Sequence, residues 1–473
     1  MQKKHFFKVL LNHGKDAGMK IKFEKININY CVLLLVIFAS VVIGQQNNSL
    51  VSTAWPPETI VDGLGISVHF LNPTKENIGY FESQMDQIKE MGLKIVRIDV
   101  QWRWVDKSKW EYDLQPYHML LDAAEKRGLR TLTLLSFAHP QYEEHQSVKT
   151  AEGRQKFAEF CARAVSESKG KGVIWEMWNE PNTDVFWSPL SDANEYMQAL
   201  ISAVTAMRKA DPNCNIIAPN TAGVDIKFLK LCLEQGLLNQ IDAVSVHGYC
   251  EVPEQNFIRY LQLKSLVSGY SAKLDKPMFF VTSEMGFPQL LPTPVGGIMR
   301  TEDKQAALII RSILVDIVAG MPMHIVYTNL EYENPQESSE ASYGVITHER
   351  KPKAAYYAIK TLTEQLAGMK FCDTLSAGSV DAWQRFVDDY VLVFENDEKV
   401  TIVTWTTSAE HISAVQIPGI PINMQDMKGK EKVVPTAMIT DYGLHPGFGR
   451  KMMIKLTEEP LYIQFKKSDI DKK

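Results

Sequence analysis

Between about Val61 and about Leu366 the chain repeats one pattern eight times: a short β-branched or apolar run, then a longer amphipathic stretch. Side chains repeat every two residues along a strand and every 3.6 along a helix, so this alternation specifies successive βα units around a parallel sheet. The eight runs are GISVHF (65–70), KIVRIDV (94–100), TLTLLSF (131–137), VIWEMWNE (173–180), NIIAPN (215–220), AVSVHGY (243–249), MFFVTSE (278–284) and HIVYTN (324–329). Between them lie helical stretches such as NIGYFESQMDQIKEMG, in which Ile78, Phe81, Met85 and Ile88 recur at helical spacing and Gly92 supplies the stop. An open doubly wound sheet is the competing topology. However, no glycine-rich nucleotide loop follows the first run, and polar residues gather at many strand ends instead of one crevice. The pattern therefore predicts an α/β fold whose residues 61–368 form a (β/α)8 TIM barrel.

After the helix-like KPKAAYYAIKTLTEQLAG the texture changes at about Met369 to alternating, turn-punctuated segments. YVLVFENDEKVTIVTWTT reads as a hairpin turning at Asn396 and Asp397, and KMMIKLTEEPLYIQF as a final strand pair. Residues 369–473 are accordingly expected to form a small all-β, sandwich-like accessory domain that either binds sugar or steadies the barrel. Two folded units suit 473 residues, more than one hydrophobic core usually serves.

The amino-terminal end carries processing information. Cys31–Gly44 (CVLLLVIFASVVIG) is short for a membrane span but the right length for a signal-peptide apolar region, and seven lysines precede it. Residues 1–44 are expected to be a signal peptide, with Met19 an alternative start and 45–60 a linker. Cleavage after Gly44 would remove the seven lysines with Asp16 and Glu24, taking the net charge from −5 to about −10. Secretion or periplasmic residence follows, with no stable membrane insertion after cleavage; an uncleaved membrane anchor is the alternative.

A net negative charge without a long run of Lys and Arg excludes nucleic acid as a natural partner. The cysteines, at 31, 161, 214, 232, 250 and 372, show no CxxC spacing, which argues against a structural metal site or a disulfide framework.

The sharpest motif is WEMWNEPN at 175–182, which sets Glu180 at the carboxyl end of the fourth run, where barrel enzymes keep their reacting groups. This octapeptide resembles the acid/base motif of the clan GH-A glycoside hydrolases, with a flavour most like family 39 and the family 5 cellulases as nearest competitor. Retaining cleavage of a glycoside needs a second carboxyl about 5–5.5 Å away to attack the anomeric carbon. PMFFVTSEMGFP at 277–288 resembles the clan's nucleophile strand and supplies Glu284. The likeness spans roughly residues 60–366.

The same resemblance implies roles for further positions. Arg97 on the second run sits beneath the nucleophile, Tyr249 on the sixth hydrogen-bonds it, and Asn179 contacts the sugar 2-hydroxyl. His247 and His69 resemble sugar-facing positions at the ends of the sixth and first runs. Trp102, Trp104, Trp187 and Tyr332 lie in or after predicted βα loops, where aromatic rings can stack on pyranose faces, and Trp102 and Trp187 are expected to bind substrate. Many clan members end the eighth strand in tryptophan; HIVYTNLEYEN has none, so Tyr327 or Asn329 must take its place.

The expected activity is that of a retaining O-glycosyl hydrolase acting on a β-linked oligo- or polysaccharide by double displacement. It needs no metal or organic cofactor, because two carboxylates do the chemistry. A transglycosylase would use the same residues, and a non-catalytic sugar-binding barrel is the alternative from outside enzymology.

Overall fold

The computed structural model describes residues 51–70, 73–108, 111–272, 274–293, 296–375, 388–441 and 449–470; the expected signal segment, its cleavage point and Met19 lie outside them. All eight expected runs become barrel strands: β1 (Leu64–Ser67), β2 (Ile95–Gln101), β3 (Arg130–Ser136), β4 (Ile174–Met177), β5 (Asn215–Ala222), β6 (Ala243–His247), β7 (Phe279–Met285) and β8 (His324–Val326). Each pairs in parallel with its sequence neighbours, and β8 closes onto β1. The returning helices are α1 (Ile78–Glu90), α2 (Gln115–Glu125), α3 (Ala151–Glu167), α4 (Ala193–Ala210), α5 (Ile226–Glu234), α6 (Asn256–Ser271), α7 (Glu302–Val318) and α8 (Ala354–Leu366).

Local chemistry fixes where these helices begin. The side chains of Thr150, Asp192, Asp225 and Thr301 accept hydrogen bonds from backbone N–H groups of the first turns of α3, α4, α5 and α7. Gly92, at φ 78°, supplies the left-handed residue just beyond α1. In α7 every residue from Gln305 to Asp316 is buried, and its polar members are paired: Gln305 with the Phe287 carbonyl, Arg311 with Glu254 and Asp316 with His324.

The barrel interior is layered. Ile95, Leu132, Ile174, Ile217, Ala243, Val281, Met323 and Ile325, drawn from the amino-terminal ends of the strands, form one apolar cluster that fills the lower barrel. Two residues further along their strands, on the same face, stand Arg97, Glu176, Ser245 and Ser283, all buried. The barrel is thus plugged with hydrocarbon below and polar above, which points its chemistry toward the carboxyl ends of the strands.

The carboxyl-terminal domain contains β9 (Lys370–Leu375), β10 (Asp389–Glu395), β11 (Lys399–Thr406), β12 (His411–Ile417), β13 (Asn423–Asp426), β14 (Ile439–Asp441), β15 (Arg450–Leu456) and β16 (Leu461–Lys466). They form a five-stranded sheet, β9-β10-β11-β16-β13, and a three-stranded sheet, β12-β15-β14, whose facing apolar residues make a separate core. The expected hairpin is present: the Asn396 side chain accepts from the Glu398 and Lys399 N–H groups at 2.9 and 2.8 Å. The expected final strand pair is not. KMMIKL and LYIQF belong to different sheets, because the turn through Pro460 carries the chain from one layer to the other. Among the described residues no helix is long and apolar enough to cross a membrane, and Cys161, Cys214, Cys232, Cys250 and Cys372 are free thiols.

One buried joint fastens this domain to the barrel. Glu254, in the loop after β6, accepts Nε and Nη2 of Arg311 on α7 at 2.8 and 2.7 Å and the indole N–H of Trp405 on β11 at 2.8 Å. Tyr390 stacks between Trp405 and Phe257, with centroids 4.8 and 6.1 Å away. Glu254→Ala would leave the Arg311 guanidinium buried without its counter-charge, which typically costs about 3–5 kcal/mol. Denaturant unfolding followed by Trp fluorescence should register that loss; an unchanged midpoint would mean the joint is dispensable.

Candidate active site

Two irregular strand ends and one buried arginine build the site. On β7, Val281 faces inward and Thr282 outward, where it meets Tyr260 of α6. Strict alternation would then send Glu284 outward as well. The pairing with β6 slips between Val246 and His247, so that Ser283 is passed over and His247 faces Glu284. This bulge turns the Glu284 carboxylate into the bowl.

On β4 the strand ends in two left-handed residues, Trp178 at φ 68° and Glu180 at φ 44°. The first rotation sends the Trp178 ring outward into the helix layer against Phe157 and Trp187, its indole N–H donating to the Phe186 carbonyl at 2.8 Å. Asn179 and Glu180 are left facing the bowl. Side chains lack room in the left-handed region, so a non-glycine residue is held there only when its surroundings determine it.

Arg97 is the hub. Its Nε donates to Glu176 at 2.5 Å, Nη1 to Glu284 at 2.6 Å and Nη2 to Asn179 at 3.0 Å, linking β2, β4 and β7. Tyr249 donates its hydroxyl to the other Glu284 oxygen at 2.7 Å. Among the described residues the Glu180 carboxyl receives one hydrogen bond, from His247 Nδ1 at 2.9 Å, and that nitrogen is 3.7 Å from Glu284. One oxygen of Glu180, one nitrogen of His247 and one oxygen of Glu284 all lie within 4.8 Å of one another.

A bowl of about 420 Å³ opens above this cluster, lined by His69, Arg97, Asn179, Glu180, Tyr249, Glu284 and Tyr327, with Asp99, Phe137, Phe186, Glu340 and Tyr343 beside them. His69 Nδ1 lies 3.6 Å from Asp99, and the Tyr327 hydroxyl donates to Glu340. Of the two candidates at the end of β8, Tyr327 faces the bowl, while Asn329 turns away and donates to Gln84 at 3.1 Å.

Three expectations need correction. His247, expected to face the sugar, is fully buried and absent from the bowl's lining, and meets Glu180 from within the protein. Trp102 and Trp187 are both 0% exposed and reach no part of the bowl. Trp102 is stacked between Tyr142 and Phe160, and Trp187 packs on Trp178 and Tyr196. Both rings fill the layer between strands and helices, where large apolar side chains are most stable. Trp104, under the guanidinium of Arg103, is partly exposed, and Tyr332 stands beside His69.

Several residues of the site were not anticipated. Glu176 shares the inward parity of Ile174, and an acid at an inward barrel position demands a cation, which was a readable signal. Asp99 repeats the parity of Arg97. Glu340 and Tyr343 come from the long segment after β8, and no local pattern marks them.

Electrostatics follow from burial and pairing. Burial would lower the His247 pKa, yet Glu284, Glu176 and Glu180 together raise it to about 9. Burial favours a neutral Glu176, but Arg97 and His247 hold it below the usual carboxylate range. Asp99, which burial would raise, is held low by His69 and Arg97. Among the described residues, the one group of three or more side chains spaced as metal ligands is Glu180, His247 and Glu284. An imidazole protonated on both nitrogens has no lone pair to offer, so at neutral pH this set is poorly suited to a metal.

Residues 56–272 match the family model for Cellulase (glycosyl hydrolase family 5). Among solved structures, the chain is similar to a family 39 glycoside hydrolase from the gut symbiont Bacteroides cellulosilyticus WH2, at 22% identity and TM-score 0.69, covering 85% of this chain and 80% of that one. It is also similar to a monomeric β-xylosidase from Caulobacter crescentus CB15 (15% identity, TM-score 0.57, 87% and 97% covered). A third is a glycoside hydrolase family 30 subfamily 8 xylanase from Clostridium acetobutylicum (12%, 0.57, 85% and 95%). No curated protein matches in sequence.

His247 makes folding stability depend on pH with a definite sign. Its pKa is higher in the folded state than the ordinary 6.5, so its contribution is complete below about pH 6.5 and is lost as pH rises through about 9. The thermal midpoint should fall across that window, and fall less steeply in His247→Gln. Parallel profiles for the two proteins would show that the folded imidazole is neutral.

Proposed function

We propose that the chain is a clan GH-A glycoside hydrolase that cleaves β-linked glycosides with retention, Glu284 attacking the anomeric carbon and Glu180 acting as acid and then base. The observation that carries this reading is the unequal support of two facing carboxyls. Glu284 accepts hydrogen bonds from Arg97 and Tyr249, which hold it in place for attack, whereas among the described residues the Glu180 carboxyl meets His247 alone.

Charge pairing divides in the same way: Arg97 pairs with Glu176 and Glu284, and His247 with Glu180. In the first step Glu284 displaces the leaving group while Glu180 protonates the departing oxygen. In the second, Glu180 deprotonates the water that releases the sugar.

The sugar is proposed to be neutral. Arg97 already donates to Glu176, Glu284 and Asn179, and His69 is paired with Asp99, which leaves a substrate carboxylate poorly served by the described lining residues. β-Xylosides and β-glucosides are the first choices, in keeping with the xylosidase and xylanase among similar structures and a glucosidase from Croceicoccus marinus. Asn179, His69 and Tyr327 are the proposed sugar contacts. Export by way of Cys31–Gly44 would bring the enzyme to such substrates; a mature amino terminus near Gln45, read by mass spectrometry of the secreted protein, is the expected mark.

Aryl β-xylosides and β-glucosides, followed by reducing-end release from xylan and β-glucan, test the reading. Proton NMR should show the β-anomer as first product. Glu284→Gln should lose about 10⁴-fold or more in kcat, and Glu180→Gln about 10²–10⁴-fold on substrates with poor leaving groups. A first product with inverted configuration, or full activity in either variant, would remove the proposal.

A further inference from the structure

Asn220 sits at a second bulge, on β5, where the pairing with β6 slips between Pro219 and Thr221. It is fully buried, left-handed at φ 57°, and is not itself among the residues that line the bowl. Yet its polar groups converge on the turn that carries Glu180. Its Nδ2 donates to the carbonyls of Met177 and Trp178 at 3.0 and 2.7 Å, and its backbone carbonyl accepts the Glu180 N–H at 3.1 Å. The Ser245 hydroxyl donates to Oδ1, fixing which way the amide points.

We infer that Asn220 is the positioning residue of the acid/base: it holds the left-handed turn Trp178–Asn179–Glu180 and so sets the Glu180 carboxyl against the glycosidic oxygen. This rests on the reading of Glu180 given above. The residue type follows from two demands at one position. The backbone needs a residue tolerant of the left-handed region, which glycine, asparagine and aspartate are, and the two carbonyls need a pair of N–H donors. Only asparagine meets both. A buried carbonyl deprived of its donor carries a desolvation penalty, so relaxation of the turn would move Glu180 before it disturbed the apolar layer below. Asn182 adds a second tie: its amide accepts from Ala222 N–H at 2.8 Å and donates to the Ala222 carbonyl at 3.1 Å, binding the end of the same turn to β5.

A misplaced acid has a signature that general loosening of the barrel lacks. Cleavage of a poor leaving group needs the proton and cleavage of a good one does not, so the defect should depend on the aglycone. The probes are phenyl and 2,4-dinitrophenyl β-xylosides, with the matching β-glucosides, on the full chain. Asn220→Asp keeps the shape and backbone tolerance but removes the donors. Its kcat/KM should fall about 100-fold on the phenyl glycoside and less than about 5-fold on the dinitrophenyl one. Stoichiometric labelling of Glu284 by a 2-deoxy-2-fluoro dinitrophenyl glycoside should persist, showing that the fold and nucleophile are intact.

Equal losses on both aglycones, or no loss on either, would overturn the inference. Where Asn220→Asp does not fold, Ser245→Ala decides: it frees the amide to turn, and should give the same aglycone-selective loss at about 3–10-fold. Glu180→Gln runs alongside. If that variant spares the phenyl glycoside, the assignment of Glu180 as the acid fails, and the role of Asn220 fails with it. If it shows the selective loss and the Asn220 and Ser245 variants do not, only the positioning role is lost.

Discussion

The upper half of this barrel depends on a buried guanidinium. Arg97 is almost wholly removed from water, and its pKa stays raised despite burial because Glu176, Glu284 and Asp99 surround it. An isolated charge at that depth would be prohibitive, so the residues around it are not free to vary one at a time. Remove Glu176 and the arginine turns wholly toward Glu284; remove Arg97 and two carboxylates face each other across the bowl with His247 alone between them. The apolar layer beneath, from Ile95 to Ile325, makes this arrangement rigid by excluding water from below.

Regular strands alone could not have made the site. A β-strand alternates its side chains without exception, and by that rule Glu284 belongs on the outer face of β7 with Thr282. The bulge at Ser283 reverses its direction, the left-handed pair Trp178 and Glu180 re-aims the end of β4, and the bulge at Asn220 supports that turn from β5. Strands β4, β5 and β7 therefore depart from regular geometry at the same end of the barrel, and β6 pairs with both of the bulged ones. Each departure costs ladder hydrogen bonds or backbone comfort, and side-chain amides and carbonyls satisfy what was lost.

This division explains what could be read from the sequence. The barrel was legible because periods of two and 3.6 are carried by every residue of a strand or helix, so eight repeats leave little room for another topology. The placement of Glu180 and Glu284 at strand ends around one bowl was legible because each stands in a distinctive peptide. Trp102 and Trp187 were misread for a physical reason: an aromatic residue just after a strand can turn toward the bowl or back into the helix layer, and nothing local decides between a wet surface and a dry one. The final strands were misread likewise, since two strands joined by a short turn can pair or cross to the facing sheet. Asn220 left no mark, because a bulge is a property of two strands together and the sequence displays only one at a time.

The polarity of the bowl bears on how it would work. Asp99, held low by His69 and Arg97, shares the bowl with the carboxyls of Glu284 and Glu340, while Arg97 and His69 are engaged with acceptors of the protein itself. Such a surface has little to offer an anionic ligand. It has much to offer a sugar whose ring acquires positive charge as the glycosidic bond stretches, because fixed negative groups then gain attraction that the neutral ground state does not provide. On the proposed mechanism, the cation that the pocket lacks is the one the substrate generates. Arg97 is accordingly placed beneath Glu284, where its donors are taken up by the proposed nucleophile, Glu176 and Asn179 and none is left for the sugar.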